Sequence, residues 1–104
     1  MMSQQMIQAK ETVEKIIAHV EAGNHPSKES LLEKLKTIDK LITQNQSKIW
    51  LRTRSGKPMA EKMETVAVNA LKQVESGSLE NIDELFEVAK EIDEESQRRS
   101  MVVT

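Results

Sequence analysis

The chain predicts an all-α fold, a four-helix up-and-down bundle built from two similar helical hairpins, and three observations predict it. Apolar residues recur at steps of three and four over long stretches, the spacing that lines one face of an α-helix. The phrase Val20-Glu21-Ala22-Gly23 returns as Val74-Glu75-Ser76-Gly77, and the same offset of 54 residues superposes Ile17 on Leu71, Leu31 on Leu85, Leu32 on Phe86, Lys36 on Lys90 and Ile38-Asp39 on Ile92-Asp93. Charged residues make up 31% of the 104 positions with both signs mixed, while glycines number three and prolines two, a helical composition.

The first helix is predicted from about Ser3 to Ala22, because Met2, Met6, Ala9, Val13, Ile16 and Val20 share one face, widened by Ile7 and Ile17. Gly23 ends it as a left-handed cap, Asn24-His25-Pro26 turns the corner, and Ser27 caps the second helix. Pro26 makes the break firm, since it cannot lie inside a helix. Leu31, Leu35, Ile38 and Ile42 line the second helix with Leu32 and Leu41 beside them, and Ile49 returns on that stripe after the polar run 43–47. The stripe leaves two endpoints open for this helix, Gln46 or Leu51. The segment 52–58 has no apolar residue and joins the halves as an exposed loop. Pro58 opens the third helix, with Met59, Met63, Val66, Ala67, Ala70, Leu71 and Val74 on its face and Gly77 at its end. Ser78 caps the fourth, Glu80 meets the positive end of its dipole, and Leu79, Ile82, Leu85, Phe86, Ala89 and Ile92 form its stripe. The stripe fades after Asp93, and Met101 to Thr104 form a short tail that frays or docks. The resulting division is one helical domain over 1–104: hairpin 1 over about 3–51, a basic loop 52–58, hairpin 2 over about 59–99 and a tail 100–104.

A chain of this length buries roughly two-thirds of its unfolded surface, enough for a modest core without staples. It has no cysteine, which excludes thiol catalysis and cysteine-ligated metal and fits a cytoplasmic protein. No apolar run approaches the ~18 residues of a membrane span, and the first residues lack the basic and apolar regions of a signal peptide. The expectation is a soluble, uncleaved protein that does not engage a membrane.

Several clusters could carry chemistry. His19 and His25 lie on opposite sides of the end of the first helix, and six residues across a corner is not the three- or four-residue spacing of helical metal ligands. No metal and no cofactor is expected. Asp83, Glu84, Glu87 and Glu91 form an acidic face on the fourth helix; carboxylates of a di-metal or acid–base site point into a bundle core, and these fall on the polar side. A solvated face, or a surface for a basic partner, is what remains.

Charge is unevenly distributed. Residues 1–47 carry six basic and six acidic side chains, 48–62 five and one, and 63–104 four and ten, net charges of 0, +4 and −6. Lys48, Arg52, Arg54, Lys57 and Lys62 surround Trp50, the outline of a nucleic-acid contact in which cations neutralise phosphates and an aromatic stacks on a base. The competing reading makes Trp50 a core or hairpin-sealing residue. The +4 block and the acidic cluster Glu91, Asp93, Glu94 and Glu95 fall at the same end of the bundle, as neighbours within one chain or as complementary patches between two. Met59 and Met63, with Met2 and Met6, sit near the starts of helices three and one, and methionine both fills cores and lines adaptable partner surfaces.

Two resemblances bear on this. Glu75-Ser76-Gly77-Ser78-Leu79 leading into Leu85-Phe86-Glu87 resembles the hairpin corner of the small subunit of exonuclease VII, over one hairpin and not the first half. The mid-chain Trp50 is similar to that of the small secreted Trp-x-Gly hairpin proteins, but Arg52 stands where their Gly would be, and the corners at Gly23 and Gly77 give four helices where that family has two.

The function expected from the sequence is a non-enzymatic protein-binding module, a small adaptor, inhibitor or regulator. Its contacts would be Trp50, Arg52, Arg54, Lys57, Met59, Lys62 and Met63, or the acidic face of helix four. The alternative is a nucleic-acid accessory protein using 48–62. Catalysis is not expected, since no nucleophile, base and orienter assemble from these residues. Monomer and homodimer both remain compatible with the stripes.

Overall fold

A computed structural model describes residues 2–77 and 81–102. Four α-helices, α1 (Gln4–Ala22), α2 (Lys28–Asn45), α3 (Lys57–Glu75) and α4 (Asn81–Val102), with a 3₁₀ turn at Ile49–Arg52 between α2 and α3, form a rod of 47 × 20 × 20 Å. Among the described residues no helix is long and apolar enough to cross a membrane.

The helices alternate in direction along the chain, and α1 packs on α2 and α3 while α4 packs on α2 and α3. The neighbours α1 and α3 are therefore parallel, as are α2 and α4, and the connection from α2 to α3 crosses the diagonal of one end. Among the described residues each predicted stripe faces inward except at Met2 and Ile49, which are exposed. Met6, Ala9, Val13 and Ile16 of α1, Leu35 and Ile38 of α2, Met63, Ala67 and Ala70 of α3, and Leu85 of α4 are all fully buried. Three core positions lie outside the predicted stripes: Ala60 replaces Met59, which is half-buried, Val88 joins α4, and Leu51 enters from the connection between α2 and α3.

The helix ends depart from expectation in informative ways. Ser3 caps α1 through its Oγ, which accepts from the Met6 N–H at 3.3 Å, and its own N–H donates to the Gln46 carbonyl at 3.2 Å, tying the start of α1 to the end of α2. Gly23 is not a left-handed cap: its φ of −92° and ψ of 170° are extended, and its N–H donates to the Val20 carbonyl. Pro26, fixed at a negative φ, already turns the corner. Gly77 does have a positive φ, 93°. Ser27 sits at the N-cap of α2 without a side-chain cap bond, and its N–H donates to His25 Nδ1 at 3.2 Å. Pro58 is the second residue of α3, one later than expected. The expected cap at Ser78, with Leu79 and Glu80, lies outside the described residues. α4 runs on through Val102.

Candidate protein-binding surface at the connection end

The end of the rod opposite the Gly23 and Gly77 corners holds Trp50 and the basic residues that the sequence nominated, whereas the acidic face starts in the first turn of α4 at the other end. α2 stops at Asn45, short of Leu51, and the chain re-forms as a 3₁₀ turn whose Leu51 N–H donates to the Lys48 carbonyl at 3.3 Å. Three residues per turn point successive side chains about 120° apart, so neighbours within the turn cannot share a face. Leu51 enters the core at 0% exposure, Trp50 lies half-buried, and Ile49 is left 70% exposed. This reverses the expectation for Ile49, which the periodicity placed on the buried stripe. Once α2 ends, its seven-residue spacing from Ile42 no longer means one face.

Trp50 is gripped on several sides. Its Nε1–H donates to Ser96 Oγ at 2.8 Å, and the Arg99 guanidinium carbon stands 4.6 Å from the ring centroid. Arg99 is itself held by Glu95 at 2.9 Å. Beneath, the Thr53 hydroxyl donates to the Trp50 carbonyl at 2.6 Å, and Gly56 packs so closely that a Cβ there would lie 1.9 Å from that carbonyl oxygen and 2.6 Å from the ring carbon Cε3. At the same end, Asn45 at 1% exposure donates its amide to Asp93 Oδ1 at 3.0 Å and to the Leu41 carbonyl at 2.8 Å. Asn45 and Ser96 continue the stripes of Ile42 and Ile92 by steps of three and four. That continuation is the signal that could have found these two buried polar residues.

Lys48, Arg52, Arg54, Lys57 and Lys62 are exposed, and among the described residues none of the five takes part in an ion pair. Two of the nearby carboxylates are engaged elsewhere, while Glu91 and Glu94 are exposed and pair with none of the five. Asp93 accepts from Asn45 and from Gln97, and Glu95 accepts from Arg98 and Arg99, with the bond from Arg98 the main cause that holds the Glu95 carboxyl below its ordinary range. The expected pairing of the basic block with the acidic cluster inside one chain is thus not made among these residues. Met2, 44% exposed, sits at the same end just before Ser3, whereas Met63 is enclosed in the core.

The acidic face of α4 is exposed at Asp83, Glu84, Glu87 and Glu91, and of these Asp83 pairs with Lys34 of α2. At the corner end, His19 and His25 border one cleft of about 210 Å³ floored by Val20, Leu31 and Val74, rather than facing apart. Among the described residues, no group of three or more histidine and carboxylate side chains is placed to hold a metal ion. No protein-family model, curated protein or solved structure matches the chain, so neither family resemblance gains support.

Proposed function

We propose that the chain is a non-enzymatic interaction module, a small adaptor, inhibitor or regulator, that binds another protein through its connection end. The observation that carries the reading is the set of five exposed cations without ion-pair partners among the described residues, gathered at the same end of the rod as an exposed aliphatic tip. Unpaired surface charge around an apolar centre suits an interface in which charge sets orientation and apolar contact supplies affinity. The cations and aliphatic groups gathered there furnish binding energy and not a nucleophile with its base.

Nucleic acid is the second reading, and the fixing of Trp50 speaks against it. A ring faced by Arg99, with its N–H already given to Ser96, is poorly placed to stack on a base. Fluorescence anisotropy with single- and double-stranded oligonucleotides at low salt tests this. No binding is expected, together with stoichiometric co-purification of one protein that an Arg52→Glu, Arg54→Glu variant loses. Oligonucleotide binding whose salt slope falls by about two in an Arg52→Ala, Arg54→Ala variant would replace the protein reading with the nucleic-acid one.

A further inference from the structure

The 3₁₀ turn exchanges the roles that the sequence suggests for Ile49 and Trp50, and this points to the centre of the interface. Trp50, the large aromatic expected to make contact, is spent inside the molecule on Ser96, Arg99 and Gly56. Ile49 takes the outward position at 70% exposure, on a turn whose neighbours Trp50 and Leu51 are locked. A solitary exposed aliphatic residue is ordinarily unremarkable on a protein surface. Two further observations set this one apart. The side chain is β-branched and mounted on a fixed backbone, so little conformational entropy remains to be lost when it is covered. It also stands among Lys48, Arg52 and Arg54, cations that the chain itself leaves without ion-pair partners among the described residues.

We propose that Ile49 is the apolar anchor of the interface, seated in an acid-rimmed apolar socket of a partner protein, with Lys48, Arg52 and Arg54 facing the partner's carboxylates. The inference rests on the protein-binding reading above and names the chemistry of that partner. A projecting tip needs a concave acceptor, and the unpaired cations give the acceptor its rim charge. Glu91 and Glu94 favour a protein over a polyanion. Both are exposed on the part of α4 that reaches this same end, since Ser96 lies against Trp50. The continuous negative field of nucleic acid or of an anionic bilayer would repel them, whereas a socket of protein size can meet the cations and leave these carboxylates outside.

Photocrosslinking tests the proposal. A benzophenone amino acid replaces Ile49, Val68 or Glu87, each exposed, in full-length protein made in its own cells. The expected result is a discrete protein adduct from position 49 and none from 68 or 87, with the crosslinked partner peptide lying among Asp and Glu residues. Unlabelled wild-type protein should compete for that adduct at least about tenfold better than Ile49→Ser, the loss expected when a large aliphatic contact is removed. The Arg52→Glu, Arg54→Glu background should abolish it. Adducts from position 87 alone, equal competition by Ile49→Ser, or a partner peptide without carboxylates would overturn the anchor while sparing protein binding. Absence of a protein adduct from all three positions, or a nuclease-sensitive or lipid adduct from position 49, would overturn both.

Discussion

At the connection end the core is stoppered by an indole and stitched by polar bonds, whereas at the corner end it runs out between two turns. Trp50–Ser96, Asn45–Asp93 and Ser3–Gln46 each join different helices or their flanking turns, and all three lie at the connection end. Among the described residues no hydrogen bond joins the two corners, whose bonds are local: Gly23 to Val20, Lys28 to His25, Gly77 to Val74. Apolar packing can repack around a small slip at modest cost, while a buried hydrogen bond is lost if its partner moves by an ångström or two. The connection end is therefore the part of the rod held by directional bonds, and it is also the part that presents the +4 basic block.

Substitutions at the glycines break this comparison most directly. Gly56→Ala is expected to cost about 3 kcal/mol, the upper range for overpacking, because its Cβ would meet the backbone of Trp50 and not a flexible side chain. Urea unfolding monitored by the fluorescence of the one tryptophan measures this, and a loss below about 1 kcal/mol would show that the connection is loosely packed. Asn45→Ala comes next, at about 2 kcal/mol, since it removes a fully buried amide and its bonds to Asp93 and Leu41. At the corner end, Gly77→Ala should cost only ~1 kcal/mol, from its positive φ alone, as nothing lies within 4 Å of the added carbon. Gly23→Ala should stay within about 0.5 kcal/mol of wild type, the range of ordinary surface changes. If the two corner variants cost as much as Gly56→Ala, the contrast between the ends is wrong.

The smallest effect concerns pH. Because the Glu95 carboxyl titrates below its ordinary value in the folded state, its stabilising contribution is complete above the unfolded glutamate range and disappears as pH falls through the folded value. Thermal melts of wild type and Glu95→Gln should differ slightly at neutral pH and converge in acid. Convergence at high pH instead would contradict the assigned pairing with Arg98 and Arg99.

The periodicities of α1, α2 and α3 identified most of the core because long amphipathic helices repeat the same instruction many times. What the repeat could not convey was how the hairpins join. An offset of 54 residues is compatible with several arrangements, and the diagonal crossing of the 46–56 connection depends on tertiary contacts that leave no periodic trace. The candidate site was half legible. Its charge could be counted along the chain, but whether Ile49 or Trp50 faces outward turned on the switch from 3.6 to three residues per turn after Asn45. The polar run 43–47 marked a weak place in the helix without saying what followed it.

The diagonal connection also orders the assembly of the fold in time. Contacts within each hairpin close over a short corner, whereas α1 on α3 and α2 on α4 bring together segments roughly half the chain apart, as Trp50 and Ser96 or Asn45 and Asp93 illustrate at separations of 46 and 48 residues. Loop closure over such distances slows the encounter, so the hairpins are expected to collapse first and the stitched end to form late. Interactions absent from the transition state act on the unfolding rate. Stopped-flow measurements on Trp50→Phe, which gives up the bond to Ser96, should then show faster unfolding with refolding nearly unchanged. The indole in this account is a latch on the finished molecule and not a nucleus for making it.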